Sequence, residues 1–97
     1  IPGSMDMEKL SKWFEEYMAL NGTKILRIKG ILSIQEMKHK IIIQSVGRDY
    51  HISQGSLWAQ GQNRESKIVF IGSRLKKTAI KEGLYTLLVE EQNQELK

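Results

Sequence analysis

Between Lys24 and Gly72 the chain falls into short apolar runs, clearest as an every-second-position alternation in the first, separated by turn-rich connections of only a few residues. That pattern restricts the fold more than any single motif, because a parallel pairing needs a crossover of a dozen or more residues. The strands must therefore be antiparallel. In the first run Leu26, Ile28, Leu32 and Ile34 share one face, with Arg27, Lys29 and Ser33 on the other. Gly30 falls on the apolar face, where a missing side chain predicts close approach of a helix backbone. Lys40 to Val46 is rich in β-branched residues, Gly47-Arg48-Asp49 marks a reversal, and Tyr50 to Trp58 reads as a more polar strand. Gln60 to Ser66 is a surface loop and Lys67 to Gly72 a buried strand.

Both ends change period. Met7, Leu10, Trp13, Phe14, Tyr17 and Met18 recur three and four residues apart, the stripe of an amphipathic helix with Asp6 as N-cap and Asn21-Gly22 as a left-handed exit. Ile80, Leu84, Leu87 and Leu88 predict a closing helix to about Glu91, and Gln92 to Lys97 a frayed tail. The fold class expected is α+β, a sheet of about four antiparallel strands with an N-terminal and a C-terminal helix packed on one face. Ile1-Pro2-Gly3-Ser4 lacks an apolar targeting core and reads as a remnant of cloning ahead of Met5, which leaves residues 5–91 as the one domain.

Composition narrows the function. No apolar run approaches the roughly 18 residues of a membrane span. The absence of cysteine removes disulfides, thiolate metal sites and cysteine nucleophiles, which fits a cytoplasmic setting. The net charge of +4 is spread along the chain, whereas nucleic-acid binders concentrate theirs on one element. A free-standing basic nucleic-acid-binding domain is the rival reading, and it requires affinity that falls steeply with salt.

Four phrases occur in a fixed order: Arg27-Ile28-Lys29-Gly30, a lone Trp58, Ile68-Val69-Phe70-Ile71-Gly72, and Leu75 leading into the last helix. Together they resemble the C-terminal domain of the CobW family, GTP-dependent proteins linked to cobalamin synthesis and metal delivery. The resemblance runs from Leu10 to about Val89. It implies an accessory domain that contacts the GTPase domain of its own polypeptide and a client metalloprotein. GTP and a divalent metal such as zinc or cobalt are implied for the parent, and no cofactor for this chain. The phosphate-binding loop of such a GTPase needs a Gly-Lys pair, which the chain lacks, so GTP hydrolysis transfers to none of its residues. Family members tend to begin with a strand ahead of the first helix; its lack here predicts an open sheet edge through which another chain, even a second copy, could pair. They also tend to place an acid after the leucine at Leu75, whereas this chain has Lys76-Lys77, opposed by the helix dipole.

No set of residues points to catalysis. In a hairpin around Arg48, His51 lies opposite Ser45 and about 20 Å from His39, so the two share no ion. Glu15, Glu16, Glu90, Glu91 and Glu95 read as solubilising, and the serine in Gln54-Gly55-Ser56-Leu57-Trp58 lacks a nucleophile elbow. Trp13, Phe14 and Tyr17 read as core, and Trp58 at a strand end as a contact residue. Arg27 and Lys29, with Ile25 and Ile31 beside them, form a mixed apolar and cationic face, either ordinary scatter or a docking surface. Arg74, Lys76, Lys77 and Lys81 are either a solvated loop or the seat of an acidic partner.

Overall fold

A computed structural model describes residues 1–89, with helix α1 over Met7–Asn21, a 3-10 turn over Gly22–Lys24, strands β1 (Ile25–Leu32), β2 (His39–Val46), β3 (Asp49–Leu57) and β4 (Lys67–Gly72), and helix α2 (Lys77–Tyr85). The sheet runs in the order β3-β2-β1-β4 with every pairing antiparallel, as the short connections require. Leu10, Phe14 and Met18 of α1 and Ile80 and Leu84 of α2 form one core with Ile25, Ile28, Leu32, Ile41 and Ile43. Both helices thus cover the same face, and among the described residues nothing covers the opposite one. Asp6 caps α1, its carboxylate accepting from the Lys9 amide at 3.0 Å.

Four local expectations are corrected. A bulge in β1, where Ile25 pairs with Gly72 but Arg27 with Ile71, shifts the alternation by one residue. Ile25 is consequently buried and Leu26 is 68% exposed, the reverse of both sequence placements. Gly22 has φ −55, not a left-handed angle, and α1 runs on into the 3-10 turn. Its missing side chain serves packing, since a Cβ there lies 3.3 Å from the Arg48 guanidinium nitrogen. Gly30 makes room for strand neighbours rather than a helix, with Ile68 and Ile43 side chains 3.0 and 3.1 Å from where its Cβ would stand. Ser33, assigned to the polar face, is fully buried; its amide donates to Ser66 Oγ at 2.9 Å and its hydroxyl meets Ser4 Oγ at 2.8 Å.

The first residues are woven into the fold. The Ile1 amino group donates to the Ser66 carbonyl at 2.8 Å, and the Ser66 amide returns a bond to Ile1 at 2.8 Å. Met5 is wholly buried and bridges Ile34 on one side and Leu88 on the other. That second bridge also stops α2 six residues short of Glu91: Leu88 must leave the helix to pair with Met5, and the Val89 amide then reaches Ser4 O at 2.9 Å. Thr86 closes the last turn through its hydroxyl, 2.6 Å from Gly83 O. Glu90, Glu91 and the expected tail Gln92 to Lys97 lie outside the described residues.

Two glycines hold the layers together. A Cβ on Gly72 would run into the Lys24 carbonyl, backbone against backbone, and one on Gly83 would stand 2.6 Å from Trp13 Nε1, where α2 crosses α1. Gly47, with φ 59 in the β2–β3 turn, has open space around it. Gly72→Ala is therefore expected to cost about 2–3 kcal/mol through overpacking and Gly47→Ala about 1 kcal/mol through backbone strain alone. Urea denaturation of both variants checks the ranking, and equal costs contradict it.

Candidate functional site

The bare face of the sheet gathers what the sequence scattered. Alternation along β1 turns Arg27, Lys29 and Ile31 outward, and the antiparallel register lines each with neighbours into a row. Arg27 sits between Val46 and Ile71, with Asp49 beyond Val46; Lys29 sits between Gln44 and Val69, with His51 beyond Gln44. Ile31 sits between Ile42 and Lys67. Leu26, Ile31, Val46, Val69 and Ile71, more than half of the large apolar side chains exposed among the described residues, belong to this face or its bulge. Arg27, Lys29, Val69 and Ile71 border a shallow depression. Lys67 is 3.4 Å from Glu65, whereas among the described residues neither Arg27 nor Lys29 has a carboxylate partner. Ile25, expected here, points into the core.

The cations around the start of α2 do not join that face, and they divide into two pairs. Lys76 is the N-cap, in extended conformation and without a side-chain hydrogen bond to the helix; Arg74 just before it has φ 55. Arg74 and Lys76 border a hollow of about 270 Å³ shared with Trp13, Tyr17 and Lys24. Lys77 and Lys81 border a separate groove of about 670 Å³ between α2 and β4, floored by Ile68, Phe70, Ile80 and Leu84. Spacing along the chain treated the four as one cluster, but they border two different hollows.

Trp58, just past the end of β3, is half-buried and flanked by two cations. Its ring lies between Lys40 Nζ at 5.4 Å and Arg64 Cζ at 5.3 Å from its centroid, and its amide donates to Lys38 O at 3.0 Å. Arg64 donates from Nη2 to the carbonyls of Ile34 at 2.9 Å and Met37 at 2.7 Å, pinning the loop after β3 to the β1–β2 connection. Sequence reasoning missed Arg64, because a lone arginine in a polar loop carries no local signal. Arg64→Met is expected to cost about 1–3 kcal/mol, since it leaves two carbonyls without their charged donor. Thermal denaturation reads that loss.

The register places His51 opposite Gln44, one residue from the expected Ser45, because the β2–β3 loop has only two residues, Gly47 and Arg48. His39, opposite Leu57, stands five positions along β2 from Gln44, or about 16 Å. Among the described residues no three His, Cys, Asp or Glu side chains group together as metal ligands. Glu15 and Glu16 are exposed on α1. Burial pushes the Tyr17 hydroxyl above its usual pKa of 10.0. A raised acid pKa contributes stability that is whole below pH 10 and is lost as pH climbs through the folded value. Tyr17→Phe is thus expected to flatten the alkaline decline in stability, read from denaturation midpoints at pH 9 to 11; an unchanged decline contradicts it.

The architecture is thus an antiparallel sheet roofed on one side by two helices, with cations and aliphatic side chains interleaved on the other side. The family model described as "Cobalamin synthesis protein cobW C-terminal domain" matches residues 1–88, and this chain belongs to that family. Among solved structures it is similar to the Zn(II)-bound YjiA GTPase from E. coli, with 27% sequence identity and a TM-score of 0.82 over 89% of this chain and 27% of that one. A Zn(II)-bound triple mutant of YjiA GTPase matches with the same identity, TM-score and coverage. The chain therefore spans about a quarter of the length of the proteins it resembles. No helix among the described residues is long and apolar enough to cross a membrane.

Proposed function

We propose that this chain is the non-catalytic interaction domain of a CobW-like, GTP-dependent metal chaperone of the cytoplasm. In this reading it docks on the GTPase domain of the same polypeptide and presents a surface to a client metalloprotein. The observation that carries the reading is the bare sheet face, where Arg27 and Lys29 are interleaved with Ile31, Val69 and Ile71. Leaving that much aliphatic surface in water is unfavourable by roughly 25 cal/mol per Å², a loss that a docked partner recovers. The cations select an acidic rim around an apolar centre and steer the encounter. Nucleotide and metal belong to the missing domain, and this domain acts by differential contact: its docked position is favoured in one nucleotide state over the other. The zinc bound by YjiA agrees with a divalent metal as cargo.

Among the described residues, the rows that cross the sheet through Arg27 and Lys29 carry no aromatic ring of Phe, Tyr or Trp, which weighs against the nucleic-acid reading. Base stacking needs exposed rings, and Phe14, Phe70 and Tyr50 are turned into the core or packed against it. A double variant, Lys29→Glu with Val69→Asp, is expected to weaken binding of the separately produced GTPase domain at least tenfold, about 1.4 kcal/mol, without lowering the thermal midpoint. Undiminished binding contradicts the proposal, as does salt-sensitive retention of DNA or RNA by the unmodified chain.

A further inference from the structure

Two strands bound the sheet, and they are guarded unequally. At the entry to β4, Ile1 lies across Ser66 and Pro2 across Glu65, and the strand itself begins with Lys67. β3 has no such guard: from Tyr50 to Leu57 it contains no lysine, arginine or proline, the residues that ordinarily keep an edge from pairing. Among the described residues only β2 pairs with it. The Gly47 amide donates to Leu26 O at 3.0 Å, which sets the alternation of the hairpin. Ser45 and Ile43 bond to β1, while Val46, Gln44 and Ile42 bond to Asp49, His51 and Ser53. The amides and carbonyls of Tyr50, Ile52 and Gln54 are thereby turned out of the sheet.

We infer that this edge pairs with the same edge of a second copy, antiparallel about Ile52, joining two four-stranded sheets into one of eight strands. The three residues with outward backbone groups are centred on Ile52, so a twofold axis there lets all of them bond. Ile52 exchanges both bonds with its counterpart, and Tyr50 with Gln54, twice. The side chains agree with that register. On the helix side the partly buried Ile52 meets itself and Tyr50 lies against Gln54; on the bare side His51 meets Ser53. Asp49, the acid of the strand, falls opposite Gly55, which has no side chain, and beyond that glycine, in the next strand of the second copy, stands Lys40. Opposite charges approach across the seam and no like charges meet on it. A strand of unrelated sequence would satisfy the backbone but not these pairings, and that selects a second copy as the occupant. The inference stands apart from the docking proposal, and its consequence for the bare face is a doubling: two sets of Arg27 and Lys29, five strand spacings or about 24 Å apart, come to lie on one surface.

Sedimentation equilibrium of this chain from about 10 µM to about 1 mM, with amide exchange at both ends of that range, tests the inference. Dimer is expected to accumulate with concentration, and the Tyr50, Ile52 and Gln54 amides to exchange about tenfold more slowly at the upper end. His51 and Ser53, already bonded to β2, are the controls and do not change. Gln54→Pro removes an amide that bonds nothing in the single copy, and it is expected to weaken association at least tenfold while His51 and Ser53 stay protected. Asp49→Lys leaves every amide in place and is expected to weaken association as well, most at low salt, which decides the matter if proline loosens β3. A chain that stays monomeric throughout overturns the inference, as does association that leaves Ile52 and Gln54 exchange unchanged. Protection of those amides only when the GTPase domain is added overturns it in favour of a foreign strand at this edge.

Discussion

Phe14 is the side chain on which the two layers depend. It is completely buried, stacks on Phe70 of β4 at 6.2 Å, packs against Tyr50 of β3 at 6.1 Å and meets the Trp13 ring edge-on at 4.9 Å. One residue of α1 thus touches both edge strands. Trp13 passes the contact on to α2, where only a glycine at position 83 leaves it room. An aromatic cluster of this size buries enough surface to fix the helix over the sheet, and its rings prefer the stacked and edge-to-face geometries seen here.

Closing one face so completely commits the molecule on the other. Both helices and five of the seven aromatic rings are spent on the inner side, so among the described residues the outer side has chiefly strand residues to show. A sheet with one solvated face ordinarily alternates apolar and polar residues cleanly. Val46, Val69, Ile71 and Ile31 break that rule on neighbouring strands around Arg27 and Lys29. Departures from a local rule concentrate where a protein meets something else. The groove between α2 and β4 is lined by no carboxylate among the described residues, and the buried serines serve structure: Ser66 Oγ accepts from the Ser33 amide and the Ser33 hydroxyl meets Ser4 Oγ.

The elements were legible because each follows from local spacing. The stripe of α1, the alternation of β1 and the turn at Gly47-Arg48 need no knowledge of the rest of the molecule. What escaped depends on contacts across space. The bulge that exchanges Ile25 and Leu26 is set by β4, the early end of α2 by a bridge to Met5, and the burial of Ser33 by Ser66. Residues 1–4 were set aside on composition alone, although their pairing with Arg64, Glu65 and Ser66 makes them part of the sheet's margin. For the candidate site the outward positions of Arg27, Lys29 and Ile31 were readable from period two. Their partners Val69 and Ile71 required the register, and the division of Arg74 and Lys76 from Lys77 and Lys81 required the helix axis.

The central claim is that the covered face builds the domain and the bare face serves a partner. Backbone chemical-shift mapping, as the GTPase domain is titrated into the labelled chain, tests it most directly. The account predicts perturbations grouped on Arg27, Lys29, Ile31, Val69 and Ile71, with α1 undisturbed. Perturbations grouped on the outer side of α1, or none at saturating partner, would contradict it.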